Sequence, residues 1–428
     1  MIPDFQEQER ATSPGPAAQG TQAPAVLAPI AMAWICVSFL LWGLLRSLDD
    51  LLVNVFRTGL TLHFATAMLL HTAFFLAYVI TCIPAGALVE RRGHRWGLGT
   101  AALVLTLGAA LCAAAVGSGS FAACFPGVFI IGVGVAALQT AGNSAVSIYG
   151  AANTTARRLL FVQSFQALGA MASPLLFARL PRLLSVSVMG GASSALVSLY
   201  GLALAIGLAL LLTVTRALPP RPVMARQSPG SWSALLTRRR VVVGFVVSFA
   251  FIGVEATVLA HAVPLLLASS RRIRLQPTDV LAVYWGTVLA GRVLAARLLR
   301  SVPLLALLRA AGVAGLVLVG ASILLRDSIG GALVLATGLC NALVFPAAYA
   351  FAVETAAPTE VPRISAIFST ALCGGAVFPL LAGLLVDHTT VSAMLVIPAV
   401  VYLGIACLAG RGLGGDEADS VNRSVISS

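Results

Sequence analysis

About a dozen stretches of twenty or more almost wholly apolar residues divide this chain, and that pattern dictates the solvent it folds in. A helix rises about 1.5 Å per residue, so roughly 20 apolar residues cross the ~30 Å hydrocarbon layer of a bilayer. Twelve such stretches run approximately over 27–55, 62–89, 96–116, 121–149, 157–180, 192–215, 240–268, 279–300, 303–325, 329–355, 363–386 and 390–410. Of the 428 residues, 59% are hydrophobic and only 10% are charged. A soluble domain carries about 25% charged residues and could not hide this much apolar surface. The expected fold class is an all-α membrane protein of twelve transmembrane helices.

The basic residues set the orientation. All 27 are arginine, and the net charge is +12. Such a charge can signal nucleic acid, but here the arginines sit in short gaps between apolar runs, with no soluble basic face to carry a binding surface. With the N-terminus inside, inner segments hold eighteen arginines, among them Arg91, Arg92, Arg95, Arg157, Arg158, Arg238, Arg239 and Arg240. Outer segments hold seven. Positive charge favours the cytoplasmic side. Both termini are therefore expected in the cytoplasm of a cell that carries the protein in its inner membrane.

The polar ends, 1–25 and 411–428, read as cytoplasmic tails, the first of them disordered. The longest hydrophilic interruption, 216–239, contains Pro219, Pro220 and Pro222. It reads as a cytoplasmic linker between a six-helix bundle over 26–215 and a second over 240–410. The seven cysteines form no C-x-x-C pair and lie mostly inside apolar runs, as small buried residues do. No metal site or cofactor is expected.

The two proposed bundles repeat one another. At a fixed offset of 205 residues, Ala85-Gly86 answers Ala290-Gly291, Gly169 with Pro174-Leu175-Leu176 answers Gly374 with Pro379-Leu380-Leu381, and Asp50 answers Glu255. Parallel duplication of this kind builds transporters whose substrate site lies between the repeats at mid-membrane.

Ionised groups are costly in a membrane, at least ~2.5–3.5 kcal/mol at its centre on insertion scales, so each one needs a reason. The first span carries Arg46, Asp49 and Asp50, the seventh Glu255 and the eighth Arg292. Arg46 and Asp50 are four residues apart on one helix face. Asp50 and Glu255 are expected to face a central cavity and to bind a proton or a polar substrate. The alternative is structural pairing, of Arg46 with Asp50 and of Glu255 with Arg292. Asp49 reads as solvated or capping, and His71 and His261 as packing residues. Gln139 and Asn143, Gln163 and Gln166, Tyr284 and Trp285, and Asn341 place polar groups on the fourth, fifth, eighth and tenth spans. Amides both donate and accept, which suits sugar hydroxyls, although such groups also bond one helix to another.

Between spans two and three the chain reads Gly86-Ala87-Leu88-Val89-Glu90-Arg91-Arg92-Gly93-His94-Arg95. This matches G-x-x-x-[DE]-R-x-G-x-R without a mismatch. Gly93 permits a tight turn and Gly86 a close helix approach. Glu90 is placed to meet a helix N-terminus or a basic group in the other half, as a latch. By the repeat, Gly291 and Arg292 join Gly86, Glu90, Arg91, Gly93 and Arg95 in that conformational role.

The motif resembles the signature of the major facilitator superfamily. Within it, the chain resembles the fucose–galactose–glucose:proton symporter family from about residue 40 to residue 388. The resemblance runs through Leu41-Trp42-Gly43 with Leu48-Asp49-Asp50, Leu138-Gln139 through Asn143, Gln163-Ser164-Phe165-Gln166 and Gly253-Val254-Glu255. It continues through Tyr284-Trp285-Gly286 with Gly291-Arg292, Asn341 with Phe345-Pro346, and Gly374-Gly375-Ala376 through Asp387-His388. It departs at Arg46, Ser144 and Gln166. The resemblance implies the major facilitator fold, with Asp50 as the proton site and the amides of the fourth and fifth helices as sugar contacts. Glu255 would supply a second carboxylate.

The expected protein is thus a monomeric secondary active transporter. It carries a small polar solute such as a monosaccharide together with a proton, by alternating access. No G-x-x-x-x-G-K-[ST] nucleotide motif occurs. The rival expectation is a proton-driven antiporter exporting drugs or metabolites. No nucleophile–base set suggests an enzyme.

Overall fold

The computed structural model describes residues 28–62, 64–149, 152–183, 191–218, 231–269, 276–325, 328–378, 381 and 394–410. The two expected tails, Asp387 and His388 lie outside the described residues. Among the described residues the α-helices follow in order. They are α1 Pro29–Gly59, α2 Phe64–Arg92, α3 His94–Gly117, α4 Phe121–Ile148, α5 Thr155–Leu183, α6 Gly191–Ala217, the short α7 Trp232–Leu236 and α8 Arg239–Ser269. Then come α9 Pro277–Leu298, α10 Leu304–Leu325, α11 Ser328–Val353, α12 Val361–Thr370 and α13 Val396–Gly410. Among the described residues, eleven segments are long and apolar enough to cross a membrane, and Val396–Ala409 is a shorter apolar helix. The linker reading of 216–239 missed α7, a single turn and a half started by the Ser231 hydroxyl, which accepts from the Ser233 amide.

Local chemistry fixes the helix ends. Pro29 and Pro277 open α1 and α9, where a missing N–H costs nothing. The Ser120 hydroxyl caps α4 by accepting from the Ala123 amide at 3.2 Å. Between α2 and α3 the chain reverses at the single residue Gly93, whose φ of 87° is strained for any side chain.

The bundle is apolar outside and partly polar within. Leu212 is 76% exposed and Leu324 83% exposed, whereas Gln139, Asn143, Gln163 and Asn341 are buried. Lipid accounts for the first observation, and helix–helix contact and a central cavity for the second. Helices α1–α6 pack on one another, as do α8–α13; the two sets meet where α5 lies along α9 and where α12 lies against α2 and α4.

The 205-residue repeat has a physical counterpart. A Cβ on Gly169 would stand 2.1 Å from the Leu40 carbonyl oxygen of α1, and one on Gly374 would stand 2.2 Å from the Phe249 carbonyl oxygen of α8. Each glycine lets the fifth helix of its half press onto the first.

Candidate functional site

At mid-depth, between the two sets of helices, lies a cavity with about 700 Å³ of atom-free space, part of it open to solvent. Gln139, Gln163, Gln166, Glu255, Trp285, Arg292 and Asn341 all line it, beside Trp42, Arg46 and Tyr78. Phe75, Phe251 and Phe345 supply apolar surface. The Gln139 carbonyl oxygen, the Gln163 amide nitrogen and the Trp285 indole nitrogen are buried and make no hydrogen bond to protein. Both halves of the chain thus present uncommitted polar atoms to one space.

Other expected site residues stand behind the wall. Tyr284 acts through Asn341, whose amide nitrogen donates to the Tyr284 hydroxyl at 2.9 Å. The Tyr402 hydroxyl donates to the Asn341 oxygen at 2.6 Å. Two buried phenols on different helices therefore hold this amide in one orientation. Asn143 is fully buried and does not line the cavity.

Asp50 is not on the wall either. Its Oδ1 accepts from Arg46 Nη1 at 2.8 Å, so the guanidinium stands between this carboxylate and the cavity. Asp49 corrects the sequence reading. It is 2% exposed, neither solvated nor capping, and its Oδ2 lies 2.7 Å from His71 Nδ1 on α2. His71 is a paired group rather than inert packing; the His261 side chain lies outside the described residues. The pairing joins residues 22 apart on two helices, and no local spacing rule reports such a contact. The acceptor atoms of Asp49, Asp50 and His71 lie within 4.8 Å of one another. Arg46 fills the same space with positive charge, which disfavours a metal ion there.

Arg292 is also corrected. Grouped by the repeat with the latch, it lies in the cavity wall instead and crosses from α9 to α5. Its Nη1 donates to the Gln163 carbonyl oxygen and, at 2.8 Å, to Gln166 Oε1. Glu255 makes no ion pair among the described residues, so the alternative of a Glu255–Arg292 pair is not formed, although Glu255 lies within the fields of both Arg46 and Arg292. Gly291 lets α9 approach α11, since a Cβ there would stand 2.6 Å from the Leu339 carbonyl oxygen.

The halves also meet at the arginine-rich end. A Cβ on Gly86 would fall 2.7 Å from that of Ala366 on α12, so only glycine seats the two helices at this distance. One turn on, Glu90 Oε1 lies 3.5 Å from Nε of the buried Arg363 of α12. The Ser365 hydroxyl donates to the Thr140 carbonyl oxygen at 2.7 Å. Arg91 is exposed and Arg95 half-buried. Arg363 was not anticipated; the motif describes only one side of the contact.

A family model for the Major Facilitator Superfamily matches residues 25–336. The chain belongs to the major facilitator superfamily. It is 28% identical over 386 residues to a glucose/galactose transporter of Brucella abortus, covering 88% of this chain and 92% of that one. Over 142 residues it is 34% identical to the L-fucose-proton symporter of Escherichia coli, covering 33% of this chain and 32% of that one. Its fold matches a crystal structure of the transporter FucP in the outward conformation with a TM-score of 0.73, at 22% identity, covering 90% of this chain and 99% of that one. This superfamily member is therefore a multi-pass membrane transporter, not an enzyme, related to glucose/galactose transporters and to FucP over most of its length.

Proposed function

We propose that this transporter couples the entry of a monosaccharide to that of a proton. The observation that carries the reading is the mid-membrane cavity, where amides and an indole from both halves leave polar atoms uncommitted beside Glu255. Hydroxyls of a sugar satisfy donors and acceptors alike, and Trp42 and Trp285 offer faces for its apolar side. Gln139, Gln163, Gln166, Trp285 and Asn341 contact the solute, while Asn143 and Tyr284 support that surface from behind. The relatives named for glucose, galactose and fucose transport point to the same class.

The reading divides the chain at the linker 216–239 into two bundles, 26–215 and 240–410, that rock about the cavity, with both termini cytoplasmic. Glu90 and Arg363, with Gly86 and Gly93, then form the latch that closes the cytoplasmic end. Arg292 holds the second seam by reaching α5. Glu255 and Asp50 are the carboxylates through which a proton changes the balance of the site. The lipid bilayer, the solute and the proton are its partners, and one chain is the working unit.

Purified protein in liposomes, given an inward proton gradient, should accumulate labelled glucose, galactose or fucose above equilibrium. Failure with every monosaccharide, together with gradient-driven loss of a preloaded lipophilic dye, would replace this reading by that of a proton-driven exporter.

A further inference from the structure

The buried charges around the cavity do not cancel. Arg46 and Arg292 are positive; Asp49, Asp50 and Glu255 are negative when ionised. With a neutral His71 the set carries one excess negative charge, and a single added proton removes it. A net charge held in a low dielectric is costly, so the site calls for one proton. The contacts indicate where it rests.

Asp50 is engaged by Arg46, and Glu255 faces the cavity. Asp49 lacks a close cation of its own, since Arg46 Nη1 is 4.0 Å away. What it has is His71, with side-chain exposures of 3% for the acid and 7% for the imidazole. With Asp49 ionised, the 2.7 Å bond between Nδ1 and its Oδ2 places the proton on Nδ1, which leaves Nε2 as the basic atom. A second proton, taken on Nε2, gives an imidazolium that has Asp49 at 2.7 Å and Asp50 Oδ1 at 3.8 Å.

We propose that the His71–Asp49 pair is a proton-binding site of this transporter, with Nε2 of His71 taking the proton and Asp49 supplying the resident counter-charge. The assignment rests on the proton-coupled reading above and places the proton on a residue other than Asp50 and Glu255. His71 is 19 residues before Glu90 on α2, about 28 Å along the helix, so it stands far from the latched end and loads from the opposite side. The charged groups beside the pair are Arg46 and Asp50 of α1. Cys112 of α3 and Tyr200 of α6 lie within the field of Asp49, and Glu255 of α8 lies within the fields of Arg46 and Asp50. None of these adds a second cation.

Phe75 connects the pair to the other half. Four residues after His71, it meets the imidazole edge-on at 4.9 Å and lies 5.4 Å under the Arg46 guanidinium. A Cβ on Gly375, in the segment after α12, would stand 2.5 Å from the Phe75 ring. A change of charge on His71 therefore acts on a ring that touches the opposite bundle.

Two readouts test the site. The first is imidazole NMR of the histidine-labelled full-length protein. It has five histidines, and His71 is assigned with His71→Gln or, if that variant does not assemble, by removing the other four. The His71 ring should be found in both its neutral and its cationic form within the pH window in which the protein stays folded, and Asp49→Asn should move that balance toward the neutral form. The second readout is transport. In His71→Gln, gradient-driven accumulation of labelled sugar should fall about tenfold further than counterflow, which needs no net proton movement. A His71 that keeps one protonation state throughout that window, or a His71→Gln protein that accumulates sugar as strongly as the parent, overturns the proposal. If the parent accumulates no sugar while His71 titrates as stated, the sugar reading fails and the proton site stands.

Discussion

Asp50 and Glu255 occupy matching places in the two repeats, 205 residues apart, and their surroundings differ. Asp50 accepts a guanidinium at 2.8 Å and stands behind the cavity wall. Glu255 lines the cavity and has no ion pair among the described residues. Duplication supplies the same backbone position twice; the neighbour at residue 46, one turn away, pairs one acid and leaves the other without an ion partner among the described residues. Replacing that second acid should have the largest effect. In Glu255→Gln the remaining buried charges cancel with His71 neutral, so the site no longer calls for a proton. Gradient-driven accumulation should fall by about two orders of magnitude, the scale of the ~2.5–3.5 kcal/mol that an uncompensated charge costs at mid-membrane. Counterflow should suffer much less. Accumulation in proteoliposomes at the parental level would show that Glu255 and Asp50 differ in contacts alone.

The paired acid should respond in a different currency. Asp50→Asn leaves the Arg46 guanidinium, only 11% exposed, with its nearest anion 4.0 Å away, and Arg46→Gln leaves Asp50 unpaired. Breaking one side of such a buried pair costs about 3–5 kcal/mol, while removing both charges costs less. The double variant should therefore be more stable than either single variant in thermal unfolding of the detergent-solubilised protein. Strict additivity of the two losses would mean that the pair contributes nothing as a pair.

This contrast shows how far the sequence could be read. The spans were legible because lipid imposes a length: the segment expected over 121–149 forms a helix over Phe121–Ile148, and that over 303–325 one over Leu304–Leu325. The Arg46–Asp50 bond was legible because a spacing of four is one helical turn. Contacts between helices were not. Nothing in the local pattern joins Asp49 to His71 or Glu90 to Arg363, and Arg292 was assigned to the latch because its glycine neighbour repeats Gly86. Its side chain instead crosses to α5, where two oxygens receive it. Position within the repeat predicted the helix and the depth; the partner depended on the packing of a different helix.

A third acid separates pairing from burial. Glu360, between α11 and α12, takes Arg238 in a two-pronged contact at 2.7 and 2.8 Å, yet Arg238 is 44% exposed. The Arg238 hydrogen bonds hold the Glu360 carboxyl below its ordinary range, against a smaller opposing effect of burial. A carboxylate lowered on folding stabilises the protein above its unfolded value, and that contribution is lost as pH falls through the folded value. Water screens the pair, so Glu360→Gln should cost only about 0.5 kcal/mol at neutral pH. The difference from the parent should close as pH falls from the ordinary glutamate range through the lowered folded value. Thermal unfolding of both proteins across that range checks it. A gap that persists in acid would assign the loss to the Ala357 amide, which also donates to Glu360 at 3.1 Å, and not to the charge on Arg238.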